Sequence, residues 1–152
     1  MSLKIFIDGA EGTTGLQLRQ RLLLHPEVKL ISINSDKRKD LNYKLEKFSE
    51  ADLIFLCLPD EESKKTVYEI NKKFGLQKVI IDASSAHRIH KDWEYGFPEL
   101  NINQKSLIRD TTRITNPGCY ATGALALIRP LIDNNIIDNS ATLNINAVSG
   151  YT

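Results

Sequence analysis

Apolar residues first gather in a short, almost unbroken run, Leu3-Lys4-Ile5-Phe6-Ile7-Asp8, which predicts a buried strand. Leu16, Leu18, Leu22 and Leu23 then recur at helical spacing until His25-Pro26 ends the pattern. The alternation repeats along the chain. Val28-Lys29-Leu30-Ile31-Ser32-Ile33 predicts a second strand, and residues 41 to 50 a short polar, weakly helical connection. Leu53-Ile54-Phe55-Leu56-Cys57-Leu58 reads as a strand covered on both faces and stopped by Pro59. Residues 61 to 74 predict a charged surface helix that turns Val67, Ile70 and Phe74 toward the sheet and closes at Gly75. Lys78-Val79-Ile80-Ile81-Asp82 is a fourth strand. Strands and helices alternating in this way predict an α/β fold with a doubly wound parallel sheet, whose ligands bind at the carboxyl ends of the strands.

Further on, the pattern predicts a helix at residues 103 to 110, a fifth short strand at Arg113-Ile114-Thr115, and an amphipathic helix carrying Leu125, Leu127, Ile128 and Leu131, kinked at Pro130. Thr142-Leu143-Asn144-Ile145-Asn146-Ala147-Val148 alternates polar and apolar residues, as a half-buried strand of a different sheet would. A lone strand with one apolar face is not stable by itself. Residues 1–140 are therefore expected to form one domain and 141–152 to begin a second, α+β domain, the chain being the N-terminal portion of a longer polypeptide.

Composition narrows the classes. With 152 residues, 41% of them hydrophobic and 26% charged, the chain can bury one principal core. A formal charge of +1 supplies no strong field for nucleic acid or an anionic membrane, and neither partner is expected. No apolar run approaches the roughly 18 residues that span a bilayer, and no signal-peptide core is present. Two distant cysteines, Cys57 and Cys119, fit a reducing, cytoplasmic setting better than a disulfide framework. Cys57 sits inside an apolar run with no charged neighbour in sequence and reads as core packing. No metal ligand set is expected.

Candidate chemistry lies where predicted strands end. Gly9-Ala10-Glu11-Gly12-Thr13-Thr14-Gly15 joins the first strand to the first helix with a G-x-x-G-x-x-G spacing, a variant of the dinucleotide fingerprint. Side-chain-free positions let backbone approach a pyrophosphate, and the helix N-terminus offers it N–H groups. Gly9, Gly12, Thr13, Thr14 and Gly15 are thus cofactor candidates, as are Leu58 and Pro59 where the third strand ends; a βα turn that binds nothing is the alternative. After the second strand comes Asn34-Ser35-Asp36-Lys37-Arg38-Lys39, with no acid directly at the strand end to hold ribose hydroxyls. Its hydroxyl and cations favour a 2′-phosphate, hence NADP over NAD, with Ser35 and Arg38 as contacts; Asp36 keeps NAD open.

The fourth strand leads into Ala83-Ser84-Ser85-Ala86-His87-Arg88 and an aromatic loop, Trp93-Glu94-Tyr95-Gly96-Phe97-Pro98-Glu99. Hydroxyls beside a guanidinium suit a phosphate or carboxylate, so Arg88 is a substrate candidate. His87 is available as a base, although a loop histidine more often packs. Asn116-Pro117-Gly118-Cys119-Tyr120-Ala121-Thr122 sets a cysteine between a tight turn and a helix start, where free N–H groups and the helix dipole favour a thiolate nucleophile. A small apolar residue under a helix start is the bland reading of Cys119. Asn116 stands beside it as a second substrate candidate.

Taken together, Gly9 to Gly15, Asp82 to Arg88, Tyr95-Gly96-Phe97-Pro98-Glu99-Leu100, Asn116 to Tyr120 and Ala147-Val148-Ser149-Gly150-Tyr151 resemble N-acetyl-gamma-glutamyl-phosphate reductase of the shorter-chain type. The chain is also similar to the aspartate-semialdehyde dehydrogenases, whose cysteine turn usually reads Asn-Pro-Asn-Cys; Gly118 favours the reductase. The resemblance implies an NADP(H)-binding Rossmann domain, a second domain for substrate and dimer contacts, and a place in arginine biosynthesis. It also implies that Cys119 attacks an acyl phosphate and releases phosphate, leaving a thioester that NADPH reduces to N-acetylglutamate 5-semialdehyde. Arg88 is then the phosphate-binding arginine. The family's histidine base belongs to the second domain, so these 152 residues alone are expected to be inactive and the full-length protein to be a homo-oligomer. An aspartate-semialdehyde dehydrogenase, or a Rossmann module with an inert cysteine, are the competing readings.

Overall fold

The structure, a computed structural model, describes residues 2–148. Its centre is a sheet of six parallel strands in the order β2-β1-β3-β4-β6-β5. The strands are β1 (Leu3–Asp8), β2 (Val28–Ile31), β3 (Leu53–Leu56), β4 (Val79–Asp82), β5 (Glu94–Tyr95) and β6 (Arg113–Thr115). The helices are α1 (Thr13–Leu23), α2 (Leu41–Glu50), α3 (Asp60–Phe74), α4 (Gln104–Asp110) and α5 (Cys119–Asp133), with a 3-10 turn at Ser35–Lys37. The predicted doubly wound sheet is thus the observed one. The order reverses beside β1, between β1 and β3, where such sheets leave a crevice for ligands.

The core forms where α2 and α3 pack on the sheet. Phe6, Ile54, Leu56 and Ile80 of the strands meet Leu45 and Phe48 of α2 and Val67 and Ile70 of α3, all buried. Phe6 and Phe48 contact edge to face with ring centroids 5.2 Å apart, a favoured aromatic geometry. α2 is therefore more than a weak connection. Asp40 caps it by accepting a bond from the Tyr43 N–H, and its spacing places Leu45 and Phe48 on one face. Gly75, at φ +63°, closes α3 as expected.

At the amino end of the sheet, the buried Arg113 guanidinium donates to the carbonyls of Lys78 and Gly75 and to Asn71 Oδ1, tying β6 to the end of α3. At the far edge, β5 pairs with β6 within the stretch read from sequence as an aromatic loop. Two residues are too few to show an alternation, and Gln104 holds the strand from outside by donating to the Tyr95 carbonyl at 2.8 Å. α5 runs through Pro130 to Asp133 and buries none of its residues fully.

Two expectations need correction. Residues 142–148, predicted as a strand, lie outside any helix or strand and are exposed, because a strand exists only through a ladder and none is formed there among the described residues. Ser149 to Tyr151, which complete the last motif, lie outside the described residues. Cys57 is half-buried rather than part of the core, and in space it has the charged neighbours its sequence context lacks. Burial pushes its thiol up to about 11, and the nearby Asp8 and Asp82 carboxylates add to the effect.

Candidate functional site

The turn after β1 is dictated by backbone contacts. Gly9 adopts φ +83°, and a Cβ there would lie 2.2 Å from the Cys57 carbonyl oxygen, so only glycine fits. Gly15 is the one buried residue of α1, and a Cβ on it would lie 2.1 Å from the Gly9 carbonyl oxygen. This close approach seats α1 directly on the turn. Gly12 precedes the helix without a side-chain cap, leaving the first turn to offer its N–H groups outward.

In front of this turn opens a cleft of about 570 Å³, lined by Gly9, Gly12, Ser35, Arg38 and Leu58 among the predicted cofactor residues. A tight glycine turn leading into an uncapped helix N-terminus fits a dinucleotide pyrophosphate. Thr13, Thr14 and Gly15 form the first turn of α1 behind the cradle. Pro59 instead precedes α3, where it is exposed, and is absent from the lining.

The cleft also holds residues that the sequence pattern did not single out. Lys44 of α2 reaches in and pairs with Asp8 at the end of β1. Burial raises the Asp8 carboxyl above the ordinary carboxylate range despite that ammonium. Glu62 lines the same wall. Only the register of α2 brings Lys44 here, and its position in a polar segment carries no local signal.

At the other end of the edge, side chains do the shaping. Asp82, fully buried at the end of β4, accepts from the Ser84 N–H at 2.9 Å and from the Ser84 hydroxyl at 2.7 Å. The same carboxylate lies 2.6 Å from His87 Nδ1. Trp93 stacks on the His87 ring with centroids 4.3 Å apart and planes 14° from parallel. His87 is therefore a packed, bonded member of the loop's frame, the packing role that loop histidines usually have. Asp60, the first residue of α3, accepts from the Ser85 N–H and hydroxyl, which holds its carboxyl below the ordinary range. Two carboxylates thus fix the loop from below and from the side.

What this frame presents is Arg88. Its Nη2 donates to the Ala83 carbonyl at 3.1 Å, and its Nε is buried with no hydrogen-bond partner among the described residues. Nη1 lies against Gly118, where an added Cβ would come within 2.8 Å of it. Gly118 precedes α5, so the guanidinium packs against the residue next to Cys119, and Cys119 is exposed. Asn116 continues the β6 ladder, its N–H donating to the Asp82 carbonyl at 2.7 Å, with its side chain at the exposed edge.

Both ends lie on the carboxyl edge of one sheet. From β1 to β6 are three strand spacings of about 4.8 Å, or roughly 14 Å, a span suited to a dinucleotide laid across the edge. Among the described residues no group of three or more His, Cys, Asp or Glu is placed to hold a metal. No helix among them is long and apolar enough to cross a membrane.

Residues 4–108 match the family described as semialdehyde dehydrogenase, NAD binding domain. Proteins from Brucella ovis and Brucella abortus named N-acetyl-gamma-glutamyl-phosphate reductase are each 45% identical over all 152 residues, and the chain spans 48% of their length. Among solved structures, an aspartate semialdehyde dehydrogenase from Francisella tularensis aligns over 88% of this chain and 41% of its own, with TM-score 0.68 and 20% identity. One from Candida albicans, solved with NADP, covers 88% and 48%, with TM-score 0.60 and 16% identity. At those identities the likeness is one of fold.

Proposed function

Because the chain belongs to the semialdehyde dehydrogenase NAD-binding domain family, we propose that it forms the cofactor-binding and nucleophile-bearing part of an enzyme that reduces N-acetyl-gamma-glutamyl phosphate to N-acetylglutamate 5-semialdehyde. The observation that carries this is the exposed Cys119 at the start of α5, with the Arg88 guanidinium against the preceding residue, on the edge shared with the glycine-lined cleft. The names of the Brucella relatives support the choice of acyl group. Gly118 supports it too, since any side chain there would displace Arg88.

In this reading the Cys119 sulfur attacks the acyl carbon, the carbon–oxygen bond to phosphate breaks, and phosphate leaves from beside Arg88. A thioester remains, and its carbonyl is a better hydride acceptor than a carboxylate. The nicotinamide, when bound, supplies the hydride that takes this acyl group to the aldehyde level. Collapse of the resulting hemithioacetal returns the Cys119 thiolate and frees the semialdehyde. Arg88 answers the charge of the leaving phosphate with its guanidinium, whose Nη1 lies against Gly118, the residue before Cys119. Ser35 and Arg38 make the cofactor NADP(H), seating its 2′-phosphate beyond β2, while Gly9, Gly12 and the first turn of α1 take the pyrophosphate. Residues 141–152 open a second domain for substrate and homo-oligomer contacts, in keeping with a chain spanning about half the length of its relatives. The setting is the cytoplasm, where a catalytic thiol stays reduced.

The test is phosphate-dependent reduction of NADP⁺ by N-acetylglutamate 5-semialdehyde, with aspartate semialdehyde run beside it, in the full-length protein. Cys119→Ser should leave NADPH affinity nearly unchanged and lower turnover by at least about a hundredfold, roughly 2.7 kcal/mol in barrier. Near wild-type turnover in that variant would exclude the covalent route, and preference for aspartate semialdehyde would exclude the substrate.

A further inference from the structure

Arg38, read above as the seat of the 2′-phosphate, is already occupied. Its Nη1 pairs with Glu11 Oε2, and both residues line the cleft. Glu11 stands in the glycine turn, and Arg38 follows the 3-10 turn after β2. The other carboxylates of the cleft have partners of their own: Asp8 is paired with Lys44 and Glu62 with Lys65. Three carboxylates, Asp8, Glu11 and Glu62, face three cations, Arg38, Lys39 and Lys44, so the lining is formally balanced before a ligand enters.

A 2′-phosphate entering this cleft must take Arg38 from Glu11 and then lie beside the carboxylate it displaced. A ribose with a free 2′-hydroxyl asks for no such exchange. We propose that Glu11 is a specificity-determining residue, an internal carboxylate that competes with the 2′-phosphate for Arg38 and narrows the margin by which the cleft prefers the phosphorylated dinucleotide. The proposal rests on the assignment of the 2′-phosphate to Arg38. It assigns the glycine turn a second role, since one of its non-glycine positions adjusts the choice of cofactor while its glycines accept the pyrophosphate.

Both side chains are more than half exposed, so the pair is weak in water and sensitive to salt. Dissociation constants for NADPH and NADH, measured by titration calorimetry on the full-length protein with Glu11→Gln, Arg38→Ala and the double substitution, test the proposal. Glu11→Gln should tighten NADPH about fivefold at low salt and leave NADH unchanged, with a smaller gain at high salt. In the Arg38→Ala background the gain should largely disappear. Unchanged or weakened NADPH binding in Glu11→Gln, or an equal shift for both cofactors, would overturn the proposal while a selective NADPH loss in Arg38→Ala kept the phosphate seat in place. Equal losses for both cofactors in Arg38→Ala would remove the seat and the proposal together.

Discussion

At the β1 end of the ligand edge the site is made of backbone packed on backbone, whereas at the β6 end it is made of side chains holding other side chains. Gly9 and Gly15 are fixed by carbonyl oxygens that no rotamer change can move away. Arg88 is fixed by a chain of polar contacts running through Asp82, Ser84, Asp60 and Ser85, with the His87–Trp93 stack behind them. The first kind of construction resists any added atom. The second tolerates added atoms but depends on every partner being present, so the two ends should fail in different ways.

The largest contrast is expected from adding one methyl group at each end. Gly15→Ala sets a Cβ against the Gly9 carbonyl and the Ala10 backbone, and should cost about 3 kcal/mol or more in urea unfolding. Gly118→Ala meets only the end of the Arg88 side chain, which can move, so its cost to stability should stay below about 1 kcal/mol. Its price is functional: a shifted guanidinium should lower phosphate-dependent turnover about tenfold, roughly 1.4 kcal/mol. Equal stability losses at the two positions would erase the distinction.

Removing a partner should give the intermediate effect. Asp82→Ala leaves the Ser84 hydroxyl and His87 without their buried acceptor, and should destabilise the protein by about 2–3 kcal/mol. Trp93 is the only tryptophan and stacks on His87, so its emission should shift to longer wavelength in the folded variant. Unchanged emission would mean that Asp82 does not hold this loop.

These two constructions also explain what the sequence disclosed. Gly9 and Gly15 were legible as glycines of a tight strand-to-helix turn because a demand for absent side chains is written in the residue type and its spacing. Arg88 and Cys119 stood out by chemistry, and the strand pattern placed them on one edge. Asp60, Asp82 and Trp93 were not legible as the frame around Arg88, because their contacts join β4, α3 and the following loop and need three-dimensional register. Lys44 was missed for the same reason, and Arg38 was singled out without Glu11, with which it pairs. The strand expected at residues 142–148 misled because alternation describes a face that could be buried, while a ladder needs a neighbour.

The smallest effect concerns pH, and its sign differs between the ends. The Asp60 carboxyl lies below its ordinary range because Ser85 donates to it, so its contribution is present above the ordinary carboxylate value and lost as pH falls through the lowered one. Asp8 is raised by burial, so its charged form opposes folding increasingly as pH rises from the ordinary carboxylate value through the raised one. Acid should therefore loosen the cysteine end and relieve the glycine end. In urea titrations read by Trp93 fluorescence, the stability difference between wild type and Asp60→Asn should be full near neutrality and close below about pH 4. A difference independent of pH would show that the Asp60 carboxylate is not what anchors Ser85.

The central claim is that Cys119 is the nucleophile, and it is tested most directly by looking for the acyl-enzyme. The full-length protein mixed with N-acetyl-gamma-glutamyl phosphate in the absence of NADPH, quenched in acid and analysed by mass spectrometry, should carry one acyl group, mapped to the peptide containing Cys119 and absent from Cys119→Ser. Cys57, half-buried with its thiol raised to about 11, should remain unmodified. An adduct on Cys57, or none on either cysteine while the enzyme still turns over with NADPH, would contradict the account.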